Sequence, residues 1–420
     1  MTYILLCLIA WACSEPEQEV GVTITDPTGS GDTLTGQVTR VESPDETPTV
    51  APVVVGAARL TEYLPQLRNT RVGLVVNQTS VVNGVHLVDT LRSLDVDIIK
   101  VFAPEHGFRG NADAGQSIKS GVDTRTGLPI VSLYGSHKKP TRADYEDLDL
   151  IVFDIQDVGA RFYTYISTMH YIMEAAAEQD KKVLVLDRPN PNGHYVDGPV
   201  LREGFTSFVG MHRVPVVHGM TVGEYAGMLN GEGWLSGGVT CDLTVVPALN
   251  YDHNTFYALP IKPSPNLPDM QSIYLYPSLC FMEGTVVSVG RGTDKQFQIY
   301  GHPDFSEGDY TFTPEPMLGA RSPKLQGKLC RGFDMSEADL GELQAQGLRL
   351  EYLYNAYRLM PEGSDFFLRN KFIDKLAGTD AVRKGILNGV TLDEMKASWQ
   401  EDLTAFKEIR KEYLLYADFE

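Results

Sequence analysis

Between residues 72 and 187 the chain repeats one pattern: a short, nearly continuous apolar run, a polar stretch, then a segment with helical spacing. The runs at 72–77, 97–102, 129–134, 148–154 and 183–187 are rich in β-branched and aromatic residues, which predicts strands. Apolar spacing predicts helices over 85–94 and 165–179. Strands that are apolar along their whole length are covered on both faces, as in parallel sheets flanked by helices. The expected fold class is therefore α/β: a Rossmann-like, doubly wound parallel sheet domain followed by a smaller α+β C-terminal domain. Thr221 with Glu224 three residues on forms a capping-box pattern that opens a helix. Residues 237–246 return as a strand, and 250–268 are loop-like and rich in proline, which puts a domain boundary near Asn250. Beyond it, a glycine-punctuated stretch at 278–293 precedes short strands and helices that include 348–353 and 363–376. A final amphipathic helix over 392–413 is expected to bury Met395, Trp399, Leu403, Phe406, Ile409 and Tyr413.

The N-terminus breaks this pattern. Residues 3–12 form an apolar run too short to span a bilayer, as in a secretory leader, and small Ala12 precedes Cys13 as at a bacterial lipoprotein processing site. The segment 14–52 is rich in Thr, Pro, Gly, Glu and Asp and cannot bury enough apolar surface to offset the entropy of ordering, so a flexible tether is expected. The resulting division is leader 1–13, tether 14–52, Rossmann-like domain 53–250 and C-terminal domain 251–420. The expected location is the cell envelope, with lipidated Cys13 as the membrane attachment. The 420 residues carry a formal charge of −19, which leaves no basic surplus for nucleic acid. Cys241, Cys280 and Cys330 are widely separated, so no zinc-type pair or disulfide framework is visible, although one bridge among them is allowed.

Chemistry concentrates at the strand ends, the usual ligand crevice of an α/β sheet. No G-x-G-x-x-G or Walker loop follows any strand, so neither a dinucleotide nor another cofactor is expected. The ends instead supply Asn77 and Gln78; Glu105, His106 and Arg109; Asp154, Gln156 and Arg161, followed by Tyr163 and Tyr165; and Asp187 and Asn190. Such a set suits a polyhydroxylated ligand. Glu283 and Arg291 add charged groups from the glycine-punctuated stretch.

The chain resembles the peptidoglycan exo-β-N-acetylmuramidases, formerly a domain family of unknown function. The resemblance runs from about Arg71 to the C-terminus. It rests on Asn77-Gln78-Thr79, the motif from Phe102 to Gly110, the motif from Asp154 to Tyr165, and Asp187 to Pro191. It continues in His218 to Thr221, Pro263 to Pro268, Glu283 to Thr285 and Gly290 to Thr293, while Met282 and Val286-Val287 depart from the family pattern. The resemblance implies a glycosidase that releases N-acetylmuramic acid from the non-reducing ends of cell-wall fragments, with its cleft between two domains.

Glycoside hydrolysis uses two carboxyl groups around an oxocarbenium-like transition state. Glu105 is the candidate acid, and Glu283, Glu224, Asp154 and Asp187, in that order, are candidate partners. Arg109, Arg161 and Arg291 could hold the lactyl carboxylate of muramic acid as planar bidentate donors. Asn77, Gln78, Gln156 and Asn190 could bond hydroxyls and the acetamido group, Tyr163 and Tyr165 could stack on the ring, and His106 is an orienting neighbour. Two rivals are a non-catalytic lipoprotein that binds muropeptides or glycans, and a metallohydrolase using His106, Asp154, Asp157 and Asp187. The second lacks any HxH or HExxH spacing, and no metal is expected.

Overall fold

A computed structural model describes residues 51–104, 108–109 and 121–420. Among the described residues the first half holds nine strands: β1 (Val72–Val76), β2 (Val81–Val82), β3 (Val85–His86), β4 (Ile98–Ala103), β5 (Gly121–Val122), β6 (Pro129–Ser132), β7 (Leu150–Asp154), β8 (Lys182–Leu186) and β9 (Asp242–Val246). Seven of them form one sheet in the order β5-β6-β4-β1-β7-β8-β9, while β2 and β3 pair as a separate hairpin. All pairings in the large sheet are parallel except that of the short edge strand β5 with β6. The six parallel strands, counted along the chain, lie in the order 3-2-1-4-5-6 of a Rossmann fold, with the topological switch between β1 and β7.

The continuous apolar runs hide a period of two. On β1, Val72, Leu74 and Val76 join one core cluster, while Val75 joins the other. On β7, Leu150 and Val152 face the first cluster and Ile151 and Phe153 the second. The first cluster is closed by α1 (Leu60–Leu67) and α2 (Leu87–Ser93), through Tyr63, Leu67, Leu87 and Leu91. Beyond the four-residue α3 (Arg142–Tyr145), α4 (Tyr165–Ala177) and α5 (Val222–Gly231) close the second cluster through Met169, Met173, Tyr225 and Leu229. Both faces are thus covered, as the strand composition requires. The capping box at Thr221 and Glu224 forms at the start of α5.

The second half holds α6 (Met270–Leu279) and a three-stranded antiparallel sheet of β10 (Ile299–His302), β11 (Tyr310–Phe312) and β12 (Cys330–Asp334), in the order β10-β12-β11. Six helices follow: α7 (Leu340–Gln346), α8 (Glu351–Leu359), α9 (Phe372–Ala377), α10 (Ala381–Leu387), α11 (Leu392–Ala397) and α12 (Gln400–Lys411). Their apolar faces join the cluster beneath α4 and α5, so a continuous core links the large sheet to the C-terminal part. Cys241, Cys280 and Cys330 are buried and free, with no bridge among them.

The single helix expected over 392–413 is two helices. Trp399 leaves helical dihedrals (φ −116°, ψ 5°), and its indole donates to Asp197 Oδ1 at 3.3 Å. Met395, Trp399, Leu403 and Phe406 are buried, but Ile409 is exposed and Arg410 takes the inward position. There the Arg410 guanidinium donates to the Gly219 carbonyl and pairs with Asp418 at 2.7 Å.

Candidate functional site

The polar strand ends mostly bond to one another. Asp154, at the end of β7, is fully buried and takes a bidentate pair from Arg188, with Nε to Oδ1 at 2.6 Å and the second amino group to Oδ2 at 3.0 Å. Gln156 donates to the carbonyls of Asp157 and Pro189, and Asn190 donates to that of Met220. Arg161 is buried and gives its terminal amino groups to the carbonyls of Pro199, Val214 and Leu376, and burial pushes its pKa down to about 10. Arg109 lies between Asp123 (2.9 Å) and Asp89 (3.5 Å). The hydrogen bond from Arg109 holds the Asp123 carboxyl at about 2. These groups, expected to meet a ligand, make their hydrogen bonds within the fold, and only Nε of Arg161 is left buried without a partner among them in the described residues.

The same holds for the two carboxylates around α5. Glu224 is 0% exposed. Its Oε2 accepts the Thr221 amide at 2.8 Å, and its Oε1 accepts His253 Nε2 at 3.0 Å and the Leu415 amide at 2.9 Å. Asp187 accepts from the Thr221 hydroxyl, the Gly223 amide and the Tyr416 hydroxyl, while burial pushes its pKa up to about 6. Neither carboxylate has a free face for substrate. Among the described residues no cluster of three His, Cys, Asp or Glu side chains could hold a metal ion; His106 of the rival metal set lies outside them. Glu105, His106 and Cys13 lie outside the described residues.

A cavity of about 250 Å³ does form where the two halves meet. The segment leading into α4 supplies Phe162, Tyr163 and Tyr165; the proline-rich loop supplies Ser264 and Asn266; Tyr276 comes from α6. The aromatic rings pack edge to face, Tyr163 with Tyr165 at 5.0 Å and with Tyr276 at 5.8 Å, and Tyr276 with Phe297 at 5.0 Å. Tyr163 also donates its hydroxyl to the Pro263 carbonyl at 2.8 Å, fastening the loop over the cavity. Gln78, two residues beyond the end of β1, donates to the carbonyls of Lys262 and Pro263 in the same loop.

Glu283 and Arg291 line this cavity as a 3.2 Å ion pair, 23% and 28% exposed. Glu283 belongs to a 3-10 turn, Cys280–Gly284, that follows α6 directly. The turn presses against α9: a Cβ on Gly284 would come within 2.5 Å of the Ile373 backbone. Lys324 donates to the carbonyls of Met282, Thr285 and Val287, which holds the turn's exit, and burial lowers its pKa. Arg291 sits between glycines at φ +77° and +88°, and a Cβ on Gly292 would meet the Glu315 carbonyl at 2.7 Å. Only glycine fits that bend without strain.

The comparisons with known proteins agree over both halves. A family model for the N-terminal domain of the exo-β-N-acetylmuramidase NamZ matches residues 72–271, and one for its C-terminal domain matches residues 274–416. The chain belongs to this family. It is 39% identical over 375 residues to the peptidoglycan β-N-acetylmuramidase NamZ of Bacillus subtilis (strain 168), covering 85% of this chain and 89% of that one. Two crystal structures of DUF1343 family proteins from Bacteroides fragilis NCTC 9343 share the fold. One has a TM-score of 0.82 at 48% identity, covering 88% of this chain and 100% of that chain. The other has a TM-score of 0.72 at 30% identity, covering 87% and 99%.

Tyr163, Tyr165, Glu283 and Arg291 are the sequence-predicted groups brought together at the cavity, with Gln78 beside its loop. Asn266, Tyr276 and Phe297 also line it and were not predicted. Asn266 lay within the proline-rich motif, which marked the loop without marking the residue. Neither of the other two carries a local signal: Tyr276 is one aromatic in an apolar run, and Phe297 is a lone aromatic between two glutamines.

Proposed function

We propose that the protein is an exo-β-N-acetylmuramidase that removes N-acetylmuramic acid from the non-reducing ends of peptidoglycan fragments, within the 250 Å³ cavity. The observation that carries this is the family match along the whole folded chain, joined to a cavity that contains one of the candidate carboxylates. Of Glu283, Glu224, Asp154 and Asp187, Glu283 lines the cavity while the other three are buried and bonded into the fold. We therefore assign the role of partner carboxylate to Glu283. Glu105, which follows β4 by two residues, is the acid by its place in the family motif. The pair would supply the proton for the departing oxygen and the base or nucleophile opposite it. Arg291 offers a bidentate donor to the lactyl carboxylate, and the aromatic floor of Tyr163 and Tyr165 supports the ring.

The protein would act in the cell envelope, exported and attached through lipidated Cys13 over the tether that follows. A Cys13→Ser chain that still takes up a labelled fatty acid and stays with membranes would overturn that attachment.

The decisive assay follows release of N-acetylmuramic acid from a chromogenic β-muramide and from the disaccharide of muramic acid with N-acetylglucosamine. Wild type should release it from both. Glu105→Gln and Glu283→Gln should each lower kcat by about 10²–10⁴-fold with an unchanged Tm. A wild-type protein that binds muropeptides without cleaving them would favour the non-catalytic binder. Full activity in Glu105→Gln would overturn the assignment of the acid.

A further inference from the structure

No described residue of the connection between β11 and β12 lines the 250 Å³ cavity, yet this connection holds both of the cavity's charged groups. Arg291 Nη2 donates to the Gly319 carbonyl at 3.2 Å, and the Glu315 amide donates to the Gly292 carbonyl at 2.8 Å. Pro323 packs on the same bend, since a Cβ on Gly292 would meet its Cγ at 2.7 Å. The next residue, Lys324, donates through Nζ to the carbonyls of Met282 (3.0 Å), Thr285 (2.7 Å) and Val287 (3.0 Å). Met282 and Thr285 bracket Glu283. The Thr285 amide and hydroxyl also close on the Met282 carbonyl, at 2.9 and 2.8 Å.

An ammonium has three N–H donors, so these bonds use all that Lys324 can offer. None is left for a carboxylate or a ligand, and its charge acts on its surroundings from a fixed place. Glu283 is the group it interacts with most strongly, ahead of Arg291 and Cys280, and that attraction opposes the burial that lowers the Lys324 pKa. Arg291 is differently placed. Its Nη1 donates to Glu283 Oε2 and its Nη2 to Gly319, so a bidentate grip on a ligand carboxylate through these amino groups takes the guanidinium away from Glu283. Lys324 is then the cation that stays. A base or nucleophile acts as the anion, and a preorganised cation beside it favours that form with no reorganisation during the reaction.

We propose that Lys324 is the positioning residue of the partner carboxylate: it locks the Glu283 turn and keeps a positive charge beside Glu283 while Arg291 holds the lactyl carboxylate. This rests on the roles of Glu283 and Arg291 proposed above.

The test measures kcat and KM of the full chain on an aryl β-muramide, per folded molecule, with Tm recorded for each variant. Lys324→Met keeps the length of the side chain and removes its charge and donors. It should lower kcat about 10–100-fold and leave KM within about threefold, the pattern of a reacting group displaced by roughly 1 Å. Lys324→Ala should lose as much and regain about tenfold in kcat when propylammonium replaces the missing carbons and ammonium, but not in sodium chloride of equal ionic strength. A purely structural lysine would change the folded fraction and leave kcat per folded molecule at the wild-type value. That result in Lys324→Met, or a Lys324→Ala chain that propylammonium leaves unmoved, overturns the inference. Full activity in Glu283→Gln overturns the role of Glu283 instead, and this inference with it.

Discussion

Glu224→Gln separates a structural carboxylate from a catalytic one. The native side chain accepts three hydrogen bonds with no solvent contact, from the Thr221 amide, His253 Nε2 and the Leu415 amide. Glutamine keeps the shape but presents one oxygen and one amino group. In its better orientation the oxygen keeps His253 and Leu415, and the amino group faces the Thr221 N–H. One acceptor is lost and a buried donor is orphaned, at about 1–3 kcal/mol, and the two remaining bonds lose their charge assistance, about 1 kcal/mol more. A total of about 2–4 kcal/mol, spread over the folded unit Ala51–Glu420 at about 2.1 cal/mol/K per residue, lowers Tm by roughly 3–5 °C. Because Leu415 and Tyr416 are tied to the Glu224 and Asp187 carboxylates, the loss should also appear as faster amide exchange around Leu415. Thermal unfolding, hydrogen exchange and kcat on the aryl muramide, corrected for folded fraction, measure all of this. Activity should stay within about threefold of wild type, less than one kcal/mol of barrier. A loss of 10³-fold or more with unchanged Tm would refute the reasoning and make Glu224 a catalytic group.

Two further outcomes follow from the geometry. Arg291→Met should weaken binding of free N-acetylmuramic acid about 10–100-fold while changing N-acetylglucosamine binding much less, by calorimetry. Equal effects on the two sugars would show that Arg291 does not read the lactyl carboxylate. Asp157 has a buried Oδ2 with no partner among the described residues, and burial pushes its pKa from 3.8 up to about 7. The native state therefore binds this proton more tightly than the unfolded chain. The stabilisation is full below about pH 3.8 and is lost as pH rises through about 7, with a limiting slope near 1.4 kcal/mol per pH unit. Asp157→Asn removes that loss, so the Tm difference, variant minus wild type, should grow from pH 5 to pH 8; a flat difference would contradict the raised pKa.

The strands were legible because burial on both sides leaves a continuous apolar run, and a doubly wound parallel sheet followed from their alternation with helices. The capping box at Thr221 was legible for a similar reason, since its partners lie three residues apart. Partners distant in the chain left no such trace. Arg188 stands 34 residues from Asp154, and Leu415 stands 191 residues from Glu224. A polar residue at a strand end looks the same in sequence whether it faces a ligand or a distant arginine. Asp154, Asp187, Gln156, Asn190 and Arg161 accordingly looked like ligand contacts, and in the structure each is bonded to a distant part of the chain. The break at Trp399 was hidden likewise, because the indole's bond to Asp197 spans 202 residues.

The strand order is that of a Rossmann fold, but its first strand-to-helix connection differs from the dinucleotide-binding one. In dinucleotide-binding folds the pyrophosphate rests on the N-terminus of the helix that follows the first strand. Here the β2–β3 hairpin intervenes between β1 and α2. The first turn of α2 is capped from within, by His86 Nδ1 accepting the Val88 amide at 3.3 Å, while His86 Nε2 donates to the Asn77 carbonyl at 2.9 Å. Across the switch point the Ser80 hydroxyl donates to the Asp154 carbonyl, and the Gln156 amide donates to the Thr79 hydroxyl. The crevice between β1 and β7 is thus sewn shut at the level of the strand ends. Gln78, beyond those bonds, and Tyr163, on the connection into α4, both reach the proline-rich loop. The described 250 Å³ cavity accordingly lies outward of the sheet, at the seam with the second half, where the C-terminal part supplies Glu283 and Arg291.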